Sequence, residues 1–396
     1  MKIKSIKALQ ILDSRGNPTL AATVILENGI SGWAAVPSGA STGSYEAVEL
    51  RDGDKNVYGG ASVLHAVKNI DSIIAPALIG QDATEQEKID EIMIALDGTE
   101  NKAVLGANAI LGVSMAVARA AAASLNQPLY QYLSKFNPNF TGTYKMPVPM
   151  MNVLNGGKHA NWATDIQEYM ILPVGAKSIS QAVQMCAEIY QNLKKVLKEK
   201  GYSISVGDEG GFAPAVSSNE ETFDLLTEAV KKAGYELGKD IVYGIDAAAT
   251  EFFSENAYHL KKENKIMTSV EMIAFYKDLS ERHPIRSFED ILAEDDWSGF
   301  KAFTDAFNWE VQVVGDDLYV TNVKRLERGI NEKITNSILI KLNQIGSLTE
   351  TIKAVNEAQA NGMTAVISHR SGETEDAFIA DLVVALGAGQ IKTGAP

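Results

Sequence analysis

The strongest constraint on the fold lies after Met146, where short apolar runs ending in ionisable residues alternate with segments of helical period. The runs are PVPMMNVLN, QEYMILPV, SISVGDEGG, IVYGIDAAA, IRSFED, VQVVGDD, ILIKL and TAVISHR, with helices such as SISQAVQMCAEIYQNLKKVLKEK between them. Eight strands in βα alternation predict a (β/α)8 barrel, with an open doubly wound sheet as the second choice. Residues 1–138 read differently. Strands such as TLAATVIL, a turn-rich loop and alanine-rich helices predict an α+β domain there. The segment SKFNPNFTGTYKMPVP reads as the linker to the barrel domain, residues 139–396.

Asp208 and Glu209, Asp246, Glu289 and Asp290, Asp316 and Asp317, Lys341, and His369 with Arg370 stand at the C-terminal ends of these runs. A lone Asp after a strand is ordinarily a turn former or helix N-cap. Ionisable groups at six consecutive strand ends point instead to a site, because a barrel brings those ends to one mouth. Asp246, Glu289 and Asp316 would place three carboxylates in one pocket. A hard divalent cation with oxygen ligands relieves their repulsion most simply, and magnesium is the natural candidate. The sequence has no HExxH or CxxC pattern, P-loop lysine or dinucleotide fingerprint, and no G-x-S-x-G nucleophile elbow is read in it.

A net charge of −14 repels nucleic acid and anionic membrane, so an anionic ligand must meet a local cluster of cations. The single cysteine, Cys186, permits no internal disulfide and fits a reducing compartment. The N-terminus does not read as a signal peptide, so a cytoplasmic protein is expected. Residues 103–125 are the most membrane-like, but Asn108 and Arg119 interrupt them, and an interior helix is expected rather than a membrane span.

The strings LDSRGNPT, VPSGASTG, ELRDGD, GANAILGVS, PVPMMNVLNGG, DIQEYMI, GDEGGFAP, SFEDILAEDDW, VGDDLYVTN, SILIKLNQIGSLTET, SHRSGETEDAFIADL and GQIKTGAP stand in that order from residue 11 to the last. Together they resemble enolase, the glycolytic 2-phosphoglycerate hydro-lyase family. The resemblance implies an N-terminal α+β capping domain followed by an enolase-type (β/α)8 barrel with an antiparallel second strand. The short link NGGKHANWATDIQ fits a hairpin between strands one and two, since parallel neighbours need a longer crossover. It further implies reversible dehydration of 2-phosphoglycerate to phosphoenolpyruvate through an enediolate, with two magnesium ions per active site, the second arriving with substrate.

Carried over by motif, Asp246, Glu289 and Asp316 would hold the tighter ion and Ser41 the second. Lys341 would be the base, and Glu209 the general acid with Glu168 beside it. Gln167 would contact substrate, Arg370 and Ser371 its phosphate, and Lys392 its carboxylate. His159 and His369 resemble the family's two pocket histidines, and residues 36–46 its lid. Strand alternation puts Ile338, Ile340 and Leu342 on one face and Leu339 with Lys341 on the other, facing the barrel interior. Burial, nearby cations and Lys392 are expected to lower the Lys341 pKa. A related barrel enzyme acting on another acid would change the phosphate and carboxylate contacts, but SHRSGE and QIKTG are intact.

The family also implies a homodimer or higher homo-oligomer. Added noncatalytic roles would be as scaffold in an RNA-degradation complex or as a host-protein binder in a cell-surface or secreted pool, without direct nucleic-acid binding. Trp162, Thr164 and Ile291 depart from the family's usual residues. The family's pattern continues from KTGAP into a final helix, so the barrel is expected without it.

Overall fold

A computed structural model describes residues 1–40 and 43–396, with every side chain in them except that of His159. Strands β1 (Ile3–Leu12), β2 (Pro18–Leu26) and β3 (Ser31–Ala35) form an antiparallel sheet in that order. The helix Ala107–Ser124 lies against this sheet, and its alanines permit a close approach. A Cβ at Gly32 of β3 would sit 2.1 Å from the Ala116 carbonyl oxygen. Among the described residues this is the one helix long and apolar enough to cross a membrane, yet 83% of it is buried inside the fold.

The second half closes a barrel. Its strands are β4 (Val148–Asn155), β5 (Glu168–Leu172) and β6 (Val242–Asp246), then, after a small sheet of β7 (Phe253–Ser254), β8 (Ala257–Leu260) and β9 (Lys265–Met267), the strands β10 (Ile285–Glu289), β11 (Gln312–Gly315), β12 (Ser337–Ile340), β13 (Thr364–Ser368) and β14 (Gly389–Lys392). Strand β5 is antiparallel to both neighbours, β4 and β6, and every other barrel pair is parallel.

The expected strand SISVGDEGG is not in the barrel. Val206 forms only an isolated bridge to Phe212, because Gly207, Gly210 and Gly211 turn the chain, Gly210 at φ +85°. The closing strand is β14, in the string GQIK. Strand β5 runs away from the mouth, so the helix pair Ile179–Glu199 and Asn219–Lys232 must climb and descend before β6 begins. The turn between those helices, which contains Glu209, therefore lies at the mouth although it belongs to no strand.

Inside the barrel the side chains form layers. At the N-terminal strand ends, Gln312 and Gln390 exchange amide hydrogen bonds of 2.9 and 2.7 Å, and Thr364 and Ser287 bond to Gln312. Above them Met150, Met170, Leu172, Val242, Val314, Leu339 and Val366 form a separate apolar cluster, while Ile338 and Ile340 join the larger core outside the strands. The expected alternation of β12 is thus present, with Leu339 facing inward beneath Lys341. The two halves are joined by Asp90 accepting the Thr349 amide at 2.9 Å, and by Asp376, which takes Arg119 at 2.9 Å and the Ala35 amide at 2.8 Å.

Leu339→Ala empties part of this apolar layer. It should lower the unfolding free energy by about 2–5 kcal/mol in urea denaturation. A loss below about 0.5 kcal/mol, the scale of a surface substitution, would show that the layer is not packed.

Candidate active site

At the barrel mouth the backbone register decides which side chains meet. Glu168 pairs with Asp246, and Asp246 with Glu289, across β5, β6 and β10, so three carboxylates stand in one row. Glu168 reaches this row only because β5 is reversed, which puts its first residue at the mouth. All three are buried, Glu289 completely. Lys392, the last residue of β14, extends its ammonium into the row and meets Glu289 at 2.8 Å, Glu168 at 3.0 Å and Asp246 at 3.1 Å.

Asp316 follows β11 and pairs with Lys341, which follows β12. His369, Arg370 and Ser371 follow β13 and are buried, with His369 Nε2 3.9 Å from Glu209 Oε1. Asn152 of β4 donates to Glu209 Oε2 at 2.8 Å and fixes that carboxylate from the other side. Gln167 sits beside Glu168, with its Oε1 buried and without a hydrogen-bond partner among the described residues. These groups leave a tight cavity, with about 20 Å³ open to the centre of a water-sized molecule, lined by Gln167, Glu168, Glu209, Asp246, Asp316, Lys341, His369, Arg370, Ser371 and Lys392, together with Asp290 and Asp317. Ser41 and the side chain of His159 lie outside the described residues, although His159 falls in the turn Gly157–Ala160.

The electrostatics are strained. Burial pushes Glu168, Glu289, Asp290 and Asp317 well above the usual carboxylate range, and neighbouring carboxylates add to the effect in each case. Asp316 is held below it, since the Lys341 ammonium outweighs the burial that opposes ionisation. Lys341 departs from expectation. Burial acts to lower it, as do Arg370 and Lys392, but the Asp316 carboxylate prevails and the net shift is upward. In this arrangement Asp316 therefore holds Lys341 as an ammonium.

The donor set suits a hard cation. Among the described residues six carboxylates and three fixed cations line the cavity, and Glu289 Oε2 is buried without a hydrogen-bond partner among them. Among the described residues, the three acidic groups whose ligand oxygens lie within 4.8 Å of one another are Asp290, Asp316 and Asp317. They differ from the expected set because Asp246 and Glu289 turn toward Lys392. Asp290 is itself a brace. At φ +41° its two oxygens accept the Asp316 amide at 2.9 Å and the Asp317 amide at 2.8 Å, tying β10 to β11. Of the expected set only Glu289 keeps an oxygen that no described residue engages; Asp246 already accepts the Ala248 amide and Lys392, and Asp316 accepts Gln344 and Lys341, so a magnesium ion held there would replace or share these contacts.

Several contributors escape a reading by strand ends. Glu46 grips the Arg370 guanidinium from residues 43–46. Arg15, anchored on Asp13 at 3.1 Å, reaches Ser371 Oγ at 3.4 Å, and that oxygen accepts the Ala40 amide at 2.8 Å. The strings LDSRGNPT and VPSGASTG hold these residues, but only the fold brings them to β13. Among the other histidines, His283 stacks on Phe223 away from the site and His65 is exposed.

Residues 3–133 match the family model described as the enolase N-terminal domain. Residues 143–396 match the one described as the enolase C-terminal TIM barrel domain.

Glu373 ties this site to pH. Burial raises its carboxyl from an ordinary 4.5 to about 7, against the Arg370 and Thr374 amides it accepts at 3.0 and 3.2 Å. Below about pH 4.5 the group is protonated folded and unfolded alike. As pH rises the unfolded chain loses this proton first, so stability falls until pH passes about 7, by roughly 3 kcal/mol in all. Glu373→Gln should therefore gain stability over the unmutated protein between pH 5 and pH 8 in urea titrations. An equal difference at both pH values would refute the assignment.

Proposed function

Because the chain belongs to the enolase family, we propose that this metal-dependent enzyme of the enolase superfamily is a hydro-lyase interconverting 2-phosphoglycerate and phosphoenolpyruvate. The observation that carries the proposal is the meeting of Lys341, Glu209 and the cations Arg370 and Lys392 around one small cavity. A proton alpha to a carboxylate is very weakly acidic, because its removal adds a second negative charge to a group already ionised. Asp246, Glu289 and Asp316 would hold a magnesium ion, with Ser41 for a second, and such ions would supply positive charge against the developing dianion.

The remaining work belongs to the side chains. Arg370 and Ser371 bind the phosphate, Lys392 the carboxylate, and the unpartnered Gln167 Oε1 accepts a substrate hydroxyl. Lys341 Nζ removes the C2 proton in its amine form, which becomes accessible once Asp316 no longer offers it a full negative charge. Glu209 delivers a proton to the departing hydroxyl. Glu168 lies close enough for the Glu209 charge to raise it, so the two carboxyls favour holding one proton between them. Buried His369, 3.9 Å from Glu209, orients that acid. The cluster of Arg370, Ser371, Arg15 and the Ala40 amide favours a phosphorylated acid over other acids.

Phosphoenolpyruvate absorbance should appear from 2-phosphoglycerate only with magnesium, and a chelator should abolish it. Folded, magnesium-loaded protein without activity would sink the proposal. Glu209→Gln should lower turnover by about 100-fold or more while still exchanging the substrate's alpha proton with solvent. Lys341→Ala should lose both, and persisting exchange would mean that another group is the base.

A further inference from the structure

One buried amide connects the anion clamp with the cation site. Gln344 lies in the turn Leu342–Ile345 after β12 and is 1% exposed. Its Nε2 donates to Asp316 Oδ1 at 2.8 Å and, more loosely, to Glu46 Oε1 at 3.3 Å. Its Oε1 accepts the Thr321 hydroxyl at 2.9 Å. Two carboxylates at one end and a hydroxyl at the other fix which atom is the nitrogen, since an amide nitrogen only donates. The Thr321 oxygen meanwhile accepts the Lys341 amide at 2.9 Å, which leaves its own proton for Gln344.

Glu46 in turn holds both terminal nitrogens of Arg370, at 2.9 and 3.1 Å, with almost no solvent access. A bidentate carboxylate on a guanidinium occupies the position that a phosphate would take. At the far end, the second oxygen of Asp316 holds Lys341. The contacts run without a gap from Arg370 through Glu46, Gln344 and Asp316 to Lys341.

We propose that Gln344 is a positioning residue that makes phosphate binding at Arg370 and magnesium binding at Asp316 depend on each other, by shifting its amide donor between Asp316 and Glu46. The inference rests on the roles given to Arg370 and Asp316 under the proposed function. A cation that claims Asp316 Oδ1 releases the Gln344 amide toward Glu46, and Glu46 is drawn off Arg370. A phosphate that displaces Glu46 from Arg370 pushes it onto the same amide, which loosens Asp316 for the cation. The two effects are one coupling free energy read from either site. A second duty follows for Glu46, which keeps Arg370 neutralised in its buried position until an anion arrives.

Calorimetric titration of magnesium into the metal-free chain, with and without saturating inorganic phosphate, tests this directly. In the unmutated protein phosphate should tighten magnesium binding by about tenfold. Gln344→Met has the same length and no amide donor. It should still bind magnesium but reduce the phosphate effect to about twofold or less. Glu46→Gln should tighten phosphate binding measured without magnesium, by about fivefold, and it decides the matter alone if Gln344→Met does not melt cooperatively. An undiminished phosphate effect in Gln344→Met, none in the unmutated protein, or weaker phosphate binding in Glu46→Gln overturns the proposal. Turnover is a separate readout. Protein that forms phosphoenolpyruvate but fails these titrations loses the relay alone, and protein that passes them without turnover loses the substrate assignment.

Discussion

The ammonium of Lys392 bridges Glu168, Asp246 and Glu289, and the barrel mouth depends on that contact. Strand register sets these carboxylates side by side, where burial and mutual repulsion both oppose ionisation of Glu168 and Glu289. A single lysine shared among them makes the row tolerable without apolar filling. Taking such charges out of water costs several kcal/mol each unless they are paired. The layer beneath, from Met150 to Val366, is dry and apolar, so it keeps the local dielectric low and strengthens each charge interaction above it.

Reversal of β5 is the second structural decision on which the site turns. It presents Glu168 at the mouth and obliges the chain to return through a helix pair, whose connecting turn supplies Glu209. Glu209 and Glu168 thus come from one topological departure, while Asp246, Glu289, Asp316, Lys341 and Lys392 come from regular parallel strands. The N-terminal half contributes to the same place. Asp13, Arg15, Ala40 and Glu46 form one connected set of contacts with residues 370 and 371, so both halves of the chain build this side of the mouth.

Much of this was legible in the chain. Apolar runs located seven of the eight barrel strands, five of them by a charged C-terminal end, and the alternation in ILIKL placed Leu339 inward and Ile338 and Ile340 outward. The error at SISVGDEGG has a physical cause. Three glycines and exposed serines support a turn as readily as a strand end, and the polar string GQIKTGAP hid a real strand whose partners are far away in sequence. The second member of each acidic pair, Asp290 and Asp317, was visible but could not be given a role. The amide contacts that make Asp290 a brace exist only once β10 and β11 are neighbours.

The sequence by itself determined most element types, the inward or outward side of the residues in ILIKL and the chemical kinds of group delivered to the mouth. Those follow from local periodicity and from where charge interrupts apolar runs, which a linear chain displays directly. Only the tertiary structure decided the direction of the Lys341 shift, the sharing of Lys392 among three acids and the span of Gln344 between Asp316 and Glu46. Each is set by distances of a few ångströms between residues tens to hundreds of positions apart. Coulomb and hydrogen-bond energies vary steeply over those distances, and the order of residues along the chain does not encode them.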